Sequence, residues 1–73
     1  MQRLNTVNVI EYFDDAVQSL VAYPETEEGN AAAEALFNKC AKDNKFSDED
    51  IAECDGYLSH SDRDYQLLLV HSI

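Results

Sequence analysis

Carboxylates have the widest chemical scope of any residues in this chain. Fifteen Asp and Glu stand against five Lys and Arg on 73 residues, a formal charge of −10. Acids three or four positions apart can work as an acid–base pair, hold calcium, or present a row of fixed negative charge. An acid–base pair needs a sheltered cleft that raises one pKa, which a domain this small seldom offers. Calcium in an EF-hand loop needs alternating acids, then a glycine and a late glutamate. Asp43-Asn-Lys-Phe-Ser-Asp48 and Asp62-Arg-Asp64 lack both. A charged row needs only spacing, and two segments have it: Glu11, Asp14 and Asp15, then Asp48, Glu49, Asp50 and Glu53. On a helix such neighbours lie about 5–6 Å apart at Cβ, against about 3.4 Å of axis per phosphate in one nucleic-acid strand. A basic cleft built for nucleic acid attracts rows of this kind at long range. One row alone is ordinarily a solvated helix face, but the scarcity of compensating lysine across the whole chain favours a working surface.

Other chemistry finds less support. Cys40, Cys54, His60 and His71 are four potential zinc ligands, but zinc modules pair ligands a few residues apart, and these do not. Two reduced, buried cysteines and two surface histidines are the simpler expectation. No serine or cysteine sits in a nucleophile elbow, and no nucleotide-binding loop is present. The chain is therefore expected to be non-enzymatic, without metal or cofactor. Its negative charge argues against direct contact with nucleic acid or anionic membranes, both of which call for clustered Lys and Arg. The one basic cluster, Lys39, Lys42 and Lys45, is explained by the negative end of a helix. Tyr23 and Tyr57, near element ends among acids, are candidate interface anchors. No secretory signal is evident, and the longest apolar run is Leu67-Leu68-Leu69-Val70, far short of a membrane span. These features predict a cytoplasmic protein.

The elements that would carry these residues read as helices in a single domain over 1–73. Val9, Ile10, Phe13, Ala16, Val17, Leu20 and Val21 recur at three- and four-residue spacing, the pattern of an amphipathic helix. Asn8 and Glu11 form its capping box, Val7 and Tyr12 its hydrophobic staple, and Pro24 its end. Thr26 and Asn30 are caps for a second helix through Ala31–Ala41. Ser47 with Asp50, and Phe46 with Ile51, start a third, and Gly56 loosens its end. Residues 62–71 are assigned to a fourth helix. A strand is the alternative there, with residues 2–9 as its mate. The fold class expected is thus all-α, a compact bundle of three or four short helices, the alternative being α+β with the two chain ends paired as strands. The expected core is Val9, Ile10, Phe13, Val17, Leu20, Leu36, Phe37, Ile51, Leu58, Leu68 and Leu69.

Length, acidity and this helical plan resemble acyl carrier proteins, but the Asp-Ser-Leu that carries their prosthetic arm is missing. The nearest fragments are Leu58-Ser59-His60 and His60-Ser61-Asp62. The chain also resembles, in size and charge only, the small acidic inhibitors made by bacteriophages: anti-CRISPR proteins, anti-restriction DNA mimics and inhibitors of DNA-repair enzymes. That resemblance implies a non-enzymatic inhibitor in the host bacterial cytoplasm, bound to a basic nucleic-acid-binding protein or complex through Glu11, Asp14, Asp15, Asp48, Glu49, Asp50 and Glu53. The alternative is a small adaptor that docks through an apolar patch, its acids serving solubility. A homodimer is compatible with either.

Overall fold

A computed structural model describes residues 5–71. It is an α+β fold, with strands β1 (Thr6–Phe13) and β2 (Ala16–Pro24), helices α1 (Glu27–Asp43) and α2 (Asp48–Glu53), then strands β3 (Tyr57–His60) and β4 (Tyr65–His71). The four strands form one antiparallel sheet in the order β2-β1-β4-β3. The all-α bundle is therefore corrected, as is the description of the chain as a helical bundle. The first predicted helix is a hairpin, and the fourth is β4. The α+β alternative describes this pairing of the chain ends, since β4 lies against β1 from Val7↔His71 to Phe13↔Tyr65. Its proposed mate began at Gln2, and residues 2–4 of that segment lie outside the described residues.

The hairpin forms for a local reason. Asp14 and Asp15 both have positive φ, 55° and 63°, as a two-residue hairpin turn of mirror-image type requires. Aspartate tolerates that region better than most side chains. Strand formers crowd the flanks: Val7, Val9, Ile10, Tyr12 and Phe13 before the turn, Val17, Val21 and Tyr23 after it. The register slips once, between Glu11 and Tyr12, so that Glu11 faces Ser19, Tyr12 faces Val17, and Gln18 is the extra residue of a bulge.

Alternation along the strands sends one set of side chains under α1. Val7, Val9, Leu58, Tyr65 and Leu67 are buried there against Ala33, Phe37 and Ala41, which recur every four residues on the helix, with Phe46 closing one end. The two alanines let the helix approach closely, so Phe37 reaches the sheet. Leu36, Ile51 and Leu69, all expected in the core, pack around its margin. Ile10 and Leu68 belong to the opposite side of the sheet, while Phe13, Val17 and Leu20 are exposed. These five are removed from the expected core.

Thr26 and Ser47 are the caps, as the sequence allows, but α1 begins at Glu27, so Asn30, the other cap offered, lies inside the helix. The Thr26 side chain accepts from the Gly29 N–H at 3.0 Å, and the Ser47 side chain accepts from the Asp50 N–H at 3.1 Å. Helix α2 ends early: Asp55 and Gly56 take positive φ and turn the chain into β3, so Leu58 enters the sheet. Gly29 is buried in the first turn of α1, where an added Cβ would overlap the Pro24 carbonyl oxygen. We expect Gly29→Ala to force the β2–α1 connection apart and cost about 2 kcal/mol, measured by urea unfolding. An unchanged midpoint would show that this connection yields freely.

Candidate functional site

The two predicted acidic rows meet different fates. Glu11 lies on β1, on the side facing α1, half-buried. Its Oε2 accepts the Tyr65 hydroxyl at 2.6 Å and its Oε1 accepts the Ser19 hydroxyl at 3.0 Å. Asp14 and Asp15 sit at the hairpin tip, where the Asp14 N–H donates to the Asp64 carbonyl at 2.9 Å and ties the two hairpins together. These three acids are thus not a row on a helix face. Asp48, Glu49, Asp50 and Glu53 do share the short helix α2, and all four are exposed. Lys42 approaches Asp48 at 3.9 Å, with both side chains largely in solvent. A pair so exposed is screened and contributes about 0–1 kcal/mol, so it leaves the α2 row essentially uncompensated.

Around Glu11 the chemistry is that of a half-buried carboxylate whose two oxygens each accept a hydroxyl. A groove of about 410 Å³ beside it is lined by Glu11, Phe13, Gln18, Asn44 and Tyr65. Burial, followed by the hydrogen bond to Glu11 and its charge, pushes the Tyr65 hydroxyl well above its ordinary value. Burial and then the Glu11 charge also push the Cys40 thiol up. Both groups keep their protons at neutral pH, which makes Tyr65 a fixed donor and Cys40 a poor nucleophile. His60 is likewise engaged: its ring stacks on Phe46 with centroids 4.0 Å apart and its Nε2 lies 2.9 Å from the Asn44 carbonyl oxygen, to which it must donate. Cys40 and Cys54 are free thiols. Among the described residues, no three His, Cys, Asp or Glu side chains converge to hold a metal ion, and no helix is long and apolar enough to cross a membrane.

The side of the sheet away from α1 is the surface the sequence reading missed. Leu20 pairs with Ile10, Ile10 with Leu68, and Leu68 with Tyr57. Cross-strand partners share a face, so these four side chains make one apolar row across all four strands. Val17 and Tyr12 flank it on one side, Ala22 and Val70 on the other. Leu20, Val17 and Tyr57 are 57%, 55% and 50% exposed. Among the described residues both helices lie on the other side, so nothing covers this one. Tyr57, suspected as an anchor, is in the row, whereas Tyr23 faces inward and packs against the core margin. The signal was weak: Val7-Asn8-Val9 alternates, but the adjacent pairs Val9-Ile10 and Tyr12-Phe13 put apolar residues on both faces.

Comparison of the chain with protein-family models, curated proteins and solved structures finds no match. The likeness to anti-CRISPR and other phage inhibitors consequently rests on size and charge alone, and the helical plan that suggested acyl carrier proteins is overturned by the sheet.

The Glu11 network yields a stability test. Tyr65→Phe removes a hydrogen bond to a carboxylate, and we expect a loss of about 1.5–3 kcal/mol at pH 7. The raised Tyr65 and Cys40 values also set a pH dependence. The folded chain holds both protons more tightly than the unfolded chain, so their contribution is intact below the ordinary values of 9.0 and 10.0. It is lost as pH rises beyond them. Denaturant titrations from pH 7 to 11 should show falling stability above about pH 9, with a shallower fall in Tyr65→Phe. Equal slopes in the two proteins would remove Tyr65 from this account.

Proposed function

We propose that this chain is a non-enzymatic cytoplasmic protein that binds a basic, nucleic-acid-binding surface of a protein partner and blocks it by charge complementarity and bulk. The observation that carries this reading is the uncompensated α2 row, Asp48, Glu49, Asp50 and Glu53, exposed on one short helix. Further acids stand on the same layer of the molecule or on its turns: Glu27, Glu28, Glu34 and Asp43 on α1, Asp55 after α2. A chain at −10 that concentrates its acids in this way repels polyanions and is steered towards polycations. Glu11 has no direct part in this, because Tyr65 and Ser19 already occupy its carboxylate.

A second reading, an adaptor that docks by an apolar patch, draws on the uncovered sheet face. Salt separates the two. Contacts between carboxylates and a basic cleft weaken as the Debye length falls from about 10 Å at 0.1 M to about 3 Å at 1 M, whereas apolar docking persists. The test is capture of partners from a bacterial lysate on the immobilised chain, eluted by stepwise salt, alongside the double variant Glu49→Lys/Glu53→Lys. We expect a nucleic-acid-binding protein released at moderate salt, and at least tenfold weaker retention by the variant. Equal retention by both proteins at every salt step would exclude the α2 row as the contact.

A further inference from the structure

We infer that the uncovered sheet face seats a second copy of this chain, two four-stranded sheets packing face to face about a two-fold axis with both helical layers outside. Three features of the face argue for this occupant. The first is charge. No outward-facing side chain of the four strands is ionised: Thr6, Asn8, Ile10 and Tyr12 on β1, Val17, Leu20 and Ala22 on β2, and their neighbours on β4 and β3 carry none. In a protein at −10, a charge-free face neither steers nor pairs a basic partner. It can meet its own copy without burying a charge, and a two-fold contact requires that self-complementarity.

The second feature is anatomy. An apolar centre, Leu20, Ile10, Leu68 and Tyr57, lies between the uncharged polar residues Thr6 and Asn8 at one end and Gln66 and Ser59 at the other. This is the core-and-rim arrangement of protein interfaces. The third is size. Four strands at about 4.8 Å spacing and seven residues at about 3.3 Å rise make a face of roughly 450 Å² in plan. Two copies thus cover about 900 Å² before side-chain relief is added, which brings the accessible area to the threshold of about 1,000 Å² for a specific interface.

Repulsion between the copies does not forbid the contact. Asp14, Asp15, Asp62 and Asp64 stand on turns at one end of the sheet, nearer the partner, whereas stacked sheets lie about 10 Å apart and each helical layer about 10 Å further out, so the acids of α1 and α2 on the two copies are separated by about 30 Å. That is about three Debye lengths at 0.1 M salt. The residual repulsion fixes the sign of the salt effect: the dimer must tighten as salt rises, opposite to the contact proposed for α2. The inference is independent of that reading, since the two surfaces lie on opposite sides of the sheet.

Sedimentation equilibrium of the intact chain at 0.1 M and 0.5 M salt tests it. The expected mass is twice the 8.2 kDa of one chain, with tighter association at the higher salt. Leu20→Lys and Tyr57→Lys, at exposed positions on opposite edges of the row, should each weaken association at least a hundredfold with an unchanged circular dichroism spectrum. Gln18→Lys, at the bulge, should leave it intact. Independently of any variant, mixed isotope-labelled and unlabelled chains should show intermolecular contacts among Ile10, Leu20, Leu68 and Tyr57. A native chain that stays at 8.2 kDa, a dimer that survives both lysine variants, or a mixture without those contacts would each overturn the inference. So would a different protein that takes the face from a monomeric chain.

Discussion

Everything in this molecule depends on one contact, the small-residue side of α1 against one side of the sheet. Ala33 and Ala41 are fully buried, and between them Phe37 is inserted among sheet residues that include Val7, Val9 and Leu67. Larger residues at the two alanines would lift the helix and withdraw Phe37. Overpacking of that kind commonly costs about 1–3 kcal/mol, a large share of what a domain this small has in reserve. A chain of 73 residues has material for a single such layer pair. Among the described residues, the sheet accordingly has one side largely covered and the other side bare. The bare side is a geometric consequence of having one long helix, and its composition is what makes it informative. Evolution could have placed Lys and Glu there, as half-solvated antiparallel sheets commonly do; this sheet carries Leu20, Ile10, Leu68 and Tyr57 instead.

The half-buried Glu11 carboxylate tightens the same contact. Glu11 stands on the central strand β1 beneath the C-terminal half of α1. A carboxylate in that place is costly unless its oxygens are occupied. Tyr65 from the neighbouring strand β4 and Ser19 from β2 occupy one oxygen each, so a single side chain cross-links three strands. The bulge at Gln18 belongs to this arrangement. It shifts the register by one residue, so that Glu11 faces Ser19 while Tyr12 faces Val17. Burial, reinforced by the hydrogen bond and charge of Glu11, keeps Cys40 and Tyr65 protonated. What looked in the sequence like part of a solvated acidic row is a structural ligand of the sheet.

How much of this was legible can be argued from the hairpin. Val9, Ile10, Phe13, Ala16, Val17, Leu20 and Val21 satisfy a helical stripe, and Asn8 with Glu11 satisfies a capping box. Two strands joined by a two-residue turn satisfy the same positions, because doubling back restarts the alternation. Two facts favoured the hairpin: the density of β-branched and aromatic residues, and adjacent aspartates at the midpoint. Propensity weighs little beside tertiary pairing, and an Asp-Asp turn is a weaker sign than Asp-Gly or Asn-Gly. Local signals that act over one turn of chain were readable by contrast. Thr26 and Ser47 cap as their spacing indicates, and Gly56 marks a break in the chain, although the helix before it stops sooner, at Glu53. The difference is range: a cap is decided within four residues, whereas β1 is decided by β4, more than fifty residues away.

The same difference in range governs the two surfaces. Net charge is a count of residue types and survives any error in the fold, so the acidity of the α2 segment could be read directly, whatever lay around it. A charge-free face is a statement about which side of a sheet each residue takes, and period 2 must be known before it can be seen. Under the helical reading, Ile10, Leu20 and Leu68 were core, and their apolar character needed no further explanation. Under the observed pairing they line up across four strands on the side that α1 does not reach. Apolar residues that a wrong fold assigns to the interior become, under the right one, surplus that the chain's own core does not use. Such surplus on a strongly charged molecule is better evidence of a working surface than the charge itself, because acids on a surface have solubility as a sufficient cause, while an exposed apolar row carries a solubility penalty that only contact relieves.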